Sequence, residues 1–214
     1  MLKLLCSSLF STILNPSIIL NIGVLISGGG SNLQAIIDDC ESKKINGNIK
    51  VVISNREDAF GLERAKKHNI RSVFEKDEDE VIKILKEENI DLVVLAGYLK
   101  IISPKFVSEF ENRIMNIHPA LIPSFCGDGF YGEKVHQAVI DYGAKVSGAT
   151  VHFVNEKADA GPIIMQDTVK VMDDDDAKTL AKRVLEVEHT ILPRCVKLFC
   201  EGKISVEGRR VRIK

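Results

Sequence analysis

Between Asn21 and His118 the chain alternates short apolar runs with amphipathic stretches, and this alternation constrains the fold more than any other feature. The runs are NIGVLIS, IKVVISN, RSVFE, IDLVVLAGY and RIMNI. Between them lie SNLQAIIDDCESK, EDAFGLERAKKHN, DEDEVIKILKEEN and SPKFVSEFEN. In the first of these, Leu33, Ile36, Ile37 and Cys40 share one helical face and Ser31 is placed to cap it. In the second, Ala59, Leu62 and Ala65 point inward. The third opens with acids that suit a helix N-terminus, and the fourth has Pro104 in its first turn. Strands alternating with helices of this length make a parallel sheet with helices on both faces. The strands themselves are almost wholly apolar, as parallel strands covered on both sides are.

After His118 the pattern changes. A loop rich in glycine and aromatics, SFCGDGFYG, precedes a helical stretch, EKVHQAVIDYG. KVSGATVHFVN and GPIIMQDTVKV then alternate as two longer strands joined by EKADA, a hairpin or neighbouring pair. A long helix is expected from about Asp176 to Cys200, and ISVEGRRVRI reads as a small hairpin. The fold class that follows is α/β: an open, mostly parallel twisted sheet with helices on both faces, Rossmann-like. Its C-terminal part adds an antiparallel strand and the long helix. Residues 21–214 are expected to form a single domain. Residues 1–20 read as an N-terminal extension: a targeting segment, a short helix lying on the domain, or translation from an upstream start.

Composition narrows the partners. With 214 residues and 45% of them hydrophobic, the chain can bury one sizeable core. The 29 basic and 30 acidic residues nearly cancel, so no basic field for nucleic acid or an anionic membrane is present. The apolar N-terminal run is too short to span a bilayer. Five cysteines form neither a disulfide framework nor a CxxC metal pattern, and this reads as reduced thiols in a cytoplasmic enzyme. The extension keeps organelle targeting as a second reading.

Three groups could carry chemistry. SGGGSNL, Ser27 to Leu33, places glycines between a strand and a helix. The N–H groups and hydroxyl of Gly30, Ser31 and Asn32 could hold one phosphate there, or the stretch is a tight turn and no more. It is not a dinucleotide fingerprint, because Leu33 stands where the third glycine belongs and the second strand ends in Asn55 rather than an acid. Next, Asn116 and His118 lie two apart at the end of the fifth strand, so both point to one face. Ligands sit beyond the carboxyl ends of such strands, and the pair could stabilise an oxyanion and move a proton. Alternatively, the Asn caps a turn and the His is satisfied by backbone. Third, Asp159 in the loop NEKADAGPII could hold a catalytic histidine in its charged form, or be one more solvated charge. His152 faces core or cleft, with packing the favoured reading. His136 and His68 read as ordinary surface residues. The acidic run Asp173 to Asp176 reads as helix-end stabilisation rather than a metal site.

Taken together, VLISGGGSNLQAII, AFGLERA, LAGYLKIISPKFV, NIHPALIPSF, GATVHFVNEKADAGPII and EHTILP resemble the folate-dependent formyltransferases, in their glycinamide ribonucleotide branch. The resemblance spans about residues 21 to 205. It implies formyl transfer from 10-formyltetrahydrofolate, as co-substrate and without a metal, to the amine of 5-phosphoribosylglycinamide in purine synthesis. It implies that Asn116 and His118 contact the formyl oxygen, that His118 is the general acid and base, and that Asp159 raises the His118 pKa and relays protons. Gly30, Ser31 and Asn32 match the phosphate turn, and Glu188 matches a ribose-hydroxyl contact. Leu99, Lys100, Ile101 and Ile102 match the border of the pteridine pocket, to which Asn116 also belongs. Residues 66 to 90 are shorter than in many members, and Lys76 is the nearest counterpart of a basic folate contact there. The loop CGDGFYG is expected to cover the active site. The partners implied are small molecules, with no nucleic acid and no membrane, for a monomer or homodimer. The rivals are a formyltetrahydrofolate hydrolase, a methionyl-tRNA formyltransferase, which would need a C-terminal nucleic-acid module and basic charge, and a non-catalytic nucleotide-binding module.

Overall fold

The computed structural model describes residues 19–214. Residues 1–18, most of the expected extension, lie outside the described residues. Five strands run parallel: β1 (Leu20–Ile26), β2 (Gly47–Ser54), β3 (Arg71–Phe74), β4 (Leu92–Leu95) and β5 (Ile114–His118). They are joined by α1 (Ser31–Glu41), α2 (Phe60–Lys67), α3 (Glu78–Glu87) and α4 (Pro104–Glu109). Next come α5 (Glu133–Asp141), β6 (Val146–Phe153), β7 (Ile163–Lys170), α6 (Ala177–Cys200) and the hairpin β8 (Ile204–Glu207) and β9 (Arg210–Ile213). Among the described residues one nine-stranded sheet has the order β3-β2-β1-β4-β5-β6-β7-β9-β8. β6 is antiparallel to both β5 and β7, and β9 joins β7 in parallel through a single pair.

Period-two alternation divides the strands between two apolar layers. Ile22, Val24 and Ile26 of β1 pack with Leu33, Ile36 and Ile37 of α1 and with Leu180, Val184 and Leu192 of α6. Leu25, Val51 and Val93 face the other way, against Val81 and Leu85 of α3 and Phe106 of α4. Along β5, Met115 and Ile117 belong to the first layer and Ile114 to the second. The second layer stops there, because the next two residues with the same orientation are Asn116 and His118. The strand thus exchanges hydrophobic packing for hydrogen-bonding groups at its C-terminal end.

The helix starts show two different solutions. α6 begins with a capping box, in which the Asp176 carboxylate accepts from the Thr179 N–H and the Thr179 hydroxyl accepts from the Asp176 N–H. Such a cap contributes about 1 kcal/mol. Beside it, Asp175 makes a two-pronged pair with Arg183, which holds its carboxyl well below the usual range, with further backbone and Thr179 contacts helping. The acidic run therefore secures a helix end, as expected. At α1 the expected Ser31 cap is not formed. Gly30 occupies the N-cap with φ +70° and no side chain caps the helix. The chain turns here in the left-handed region, where glycine is the unstrained residue. A Cβ on Gly30 would also stand 2.7 Å from the Gly61 Cα at the start of α2.

Candidate active site

The C-terminal ends of β4 and β5, with Asn32 in the first turn of α1, open into one cleft of about 660 Å³. Its walls come from the segment after β4, the glycine-rich loop before α5, the loop carrying Asp159 and one face of α6. Ser27, at the end of β1, connects this edge internally. Its hydroxyl donates to Asn55 Oδ1 at 2.6 Å and accepts from the Leu99 N–H at 2.9 Å. That explains Asn55 structurally: it anchors the turn that positions the segment lining the cleft.

At the centre, His118 is 4% exposed. Its Nε2 lies 2.9 Å from the Phe125 carbonyl oxygen. A carbonyl only accepts, so Nε2 carries the ring proton and Nδ1 is the free base. Nδ1 faces Asp159 Oδ2 at 3.5 Å. The same Oδ2 accepts from the Gly127 N–H at 2.9 Å. A three-residue span of one loop therefore holds the imidazole through the Phe125 carbonyl and the carboxylate through the Gly127 amide. The structure places the glycine-rich loop against the cleft, with residues 127–132 in its lining.

The charges follow from these contacts. Burial pushes the His118 pKa down; the Asp159 carboxylate and the Phe125 carbonyl pull it up, and nearby His152 adds to the fall. The net direction is down. Asp159 does raise this pKa, in the direction expected of it, while desolvation of the buried imidazolium is the larger effect and sets the net direction. Burial lifts the Asp159 pKa, but the contacts from His152, His118 and the Gly127 N–H prevail and hold it below the usual carboxylate range. Asp159 also has φ +49°, a left-handed geometry that Asp tolerates better than most residues.

Asn116 points into the same cleft, with its Nδ2 3.1 Å from His152 Nε2. His152 is 1% exposed and lines the cleft, so the packing reading favoured from sequence does not hold. β6 sets it directly across from Asn116, and the β6–β7 register shifts between Val151 and His152. Irregularities of this kind re-aim side chains beside active sites. His136 corrects a second expectation: it is 5% exposed rather than on the surface. The first turn of α5 carries it into the cleft lining, where its Nδ1 has no partner among the described residues, and burial and neighbouring His118 push its pKa down. His68 lies elsewhere, at the C-cap of α2 between Gln34 and Glu41.

The expected substrate groups divide in two. Glu188 on α6 is buried and accepts from Asn32 Nδ2 at 2.6 Å. Burial raises its pKa, and the Asn32 hydrogen bond opposes that only in part. Among the described residues Asn32 Oδ1 is buried without a partner. Both residues line the cleft; Gly30 and Ser31 sit just outside it, at the uncapped start of α1. Leu99, Lys100, Ile101 and Ile102 all line the cleft. Leu99 and Ile101 are 55% and 72% exposed, an apolar rim of the kind that marks a binding surface. Lys76 is not brought to the cleft. Its ammonium lies over the Phe74 ring and its carbonyl accepts from Lys100 Nζ at 2.8 Å. That tie leaves Lys100 as the basic residue of this pair in the lining. Among the described residues no group of three or more His, Cys, Asp or Glu side chains is placed to hold a metal ion, and no helix is long and apolar enough to cross a membrane.

Comparison with known proteins bears on the fold and the family. The phosphoribosylglycinamide formyltransferase of Escherichia coli is 40% identical over 196 residues, covering 87% of this chain and 90% of that protein. The chloroplastic phosphoribosylglycinamide formyltransferase of Arabidopsis thaliana is 42% identical over 194 residues; the match covers 86% of this chain and 66% of the longer plant protein. Among solved structures, glycinamide ribonucleotide transformylase 1 from Symbiobacterium toebii superposes with a TM-score of 0.86 at 42% identity, over 91% of this chain and 94% of that one. The formyl transferase profile matches residues 20–196, and on that match, with the fold and the cleft that accompany it, the chain belongs to the formyl transferase family.

Proposed function

We propose that this protein transfers the formyl group of 10-formyltetrahydrofolate to the amine of 5-phosphoribosylglycinamide, giving formylglycinamide ribonucleotide and tetrahydrofolate in de novo purine synthesis. The observation that carries this reading is the convergence of Asn116, His118 and Asp159 on one cleft that also contains the buried Asn32–Glu188 pair. The apolar border from Leu99 to Ile102 suits a flat ring system with polar edges. Among the described residues Glu188 has no cation beside it, so the hydroxyls of a ribose are well matched to its second oxygen. The uncapped N–H groups around Gly30 to Asn32 suit the phosphate.

The chemistry then uses groups already in place. The amine nitrogen attacks the formyl carbon, a C–N bond forms, and the carbonyl electrons move to oxygen. Asn116 stabilises that oxyanion by donating an N–H. His118 Nδ1 takes a proton from the attacking nitrogen, and Asp159 steadies the imidazolium by charge. The tetrahedral intermediate collapses as the bond to the folate nitrogen breaks, and His118 returns the proton to that nitrogen. Holding both substrates in one cleft supplies the alignment. The reading extends to a cytoplasmic enzyme of small molecules, acting as a monomer or homodimer.

The test is to mix the protein with 10-formyltetrahydrofolate, with and without the ribonucleotide amine, and follow folate absorbance. Turnover that needs both substrates supports formyl transfer. Turnover without the amine indicates a hydrolase, and no turnover in either case indicates a binding module.

A further inference from the structure

We propose that His152 is a positioning residue that fixes which end of the Asn116 amide faces the reaction. The inference rests on the formyl-transfer reading, since only there does Asn116 have an oxyanion to stabilise. An amide has a donating end and an accepting end, and only the N–H end can stabilise a developing negative charge. Something must therefore choose the rotamer. Among the described residues, the Asn116 side chain makes one hydrogen bond, from Nδ2 to His152 Nε2 at 3.1 Å.

That bond is directional because the His152 tautomer is itself fixed. His152 Nδ1 lies 2.8 Å from the Phe153 carbonyl oxygen. The carbonyl can only accept, so Nδ1 carries the proton of the neutral ring and Nε2 presents a lone pair. A lone pair selects the Asn116 N–H over its carbonyl. The second N–H on the same nitrogen is then free to donate, and Asn116 lines the cleft. Asp159 Oδ1 lies 3.6 Å from the same Nε2, farther than Asn116 Nδ2 at 3.1 Å, so the amide is the nearer partner of the neutral ring, and only a protonated Nε2 turns to the carboxylate and lowers its pKa. The chain of choice runs from the Phe153 main chain through the imidazole to the amide. Burial of His152 and its place directly across the sheet from Asn116 leave the ring little room to turn.

The test is a double-mutant cycle with rescue. His152→Phe keeps the bulk and removes the acceptor; His152→Gln restores an acceptor oxygen. Each is made in the wild-type and in the Asn116→Ala background, and kcat and KM are measured for both substrates. Loss of one oxyanion donor lowers kcat by about 10²- to 10³-fold, so His152→Phe is expected to lower kcat about 10²-fold with both KM values little changed. In the Asn116→Ala background the same substitution is expected to cost no more than about twofold, because the two residues act as one unit. His152→Gln is expected to recover at least about tenfold over Phe. An equal loss in both backgrounds overturns the proposal.

Should the Phe variant not fold, imidazole ¹⁵N shifts of the unmodified protein decide. A protonated Nδ1 with an unprotonated Nε2 on His152 supports the proposal, and a protonated Nε2 overturns it. The nitrogen shifts do not depend on turnover, so absence of formyl transfer in the unmodified protein would refute the functional reading and leave the His152 tautomer separately decided.

Discussion

Asn32, in the first turn of α1, donates to Glu188 on α6 at 2.6 Å across 156 positions of sequence. The bond ties the start of the first helix to the last one, beside the turn assigned to the phosphate. Glu188 is buried with no cation among the groups that shift it, and the proposed ribose contact rests on this. Glu188→Gln keeps the shape and removes the charge. Hydrogen bonds to charged groups contribute about 1.5–3 kcal/mol, so the ribonucleotide KM is expected to rise about ten- to a hundredfold with the folate KM unchanged. Steady-state kinetics with each substrate varied would show this, and an unaltered ribonucleotide KM would remove Glu188 from the substrate site.

His118 titrates below its ordinary value of 6.5, chiefly because of burial. In its proposed role as the base it must be neutral, so the acid limb of the kcat profile is expected below pH 6.5. Asp159 raises this pKa, so Asp159→Asn should move the limb further down while lowering kcat by about 10²- to 10⁴-fold. Full pH profiles of both proteins check the direction, and an upward shift in the variant would contradict the electrostatic account.

Buried neutral histidines also link stability to pH. The His118 and His136 pKa values are both lowered, mainly by burial. Below pH 6.5 the unfolded chain takes up protons that the folded chain cannot, so stability present at neutral pH is lost as pH falls. Glu188, whose pKa is raised, works in the opposite direction at lower pH. The net expectation is a falling urea midpoint between pH 7.5 and 5.5, with a shallower fall in His136→Phe. Each fully linked proton can contribute at most about 1.4 kcal/mol per pH unit.

Gly30→Ala is expected to weaken ribonucleotide binding and lower stability together. The backbone there is left-handed at φ +70°, and the new methyl would meet Gly61 Cα at 2.7 Å. Strain of this kind costs about 1–3 kcal/mol, which thermal unfolding would detect. Calorimetric titration with the ribonucleotide reads the second effect.

The fold was legible because its signal is local. Apolar runs and helical faces recur along the chain, and Ala59, Leu62 and Ala65 are buried as their spacing requires. The i, i+2 relation of Asn116 and His118 likewise survives into three dimensions. What the sequence concealed depends on pairing between distant segments. His152 reads as a strand residue until β6 is laid antiparallel to β5 in the register that sets it against Asn116. His136 reads as a surface residue until α5 is packed on α6 and its first turn is turned toward the cleft. Ser31 looked like a cap because its residue type suits one, but the turn needs a left-handed residue one position earlier. Lys76 was the nearest cation by counting along the chain; in space Lys100 stands at the cleft and Lys76 offers it a carbonyl.

The two atoms by which the Phe125–Gly127 segment holds His118 and Asp159 belong to the main chain. The segment works as a jig, and its hold on His118 and Asp159 is written in its trace rather than in its letters. Substitutions at these positions that leave the main-chain path unaltered keep both contacts. The side chains of the segment are therefore a poor guide to what it does, and its path is the better one.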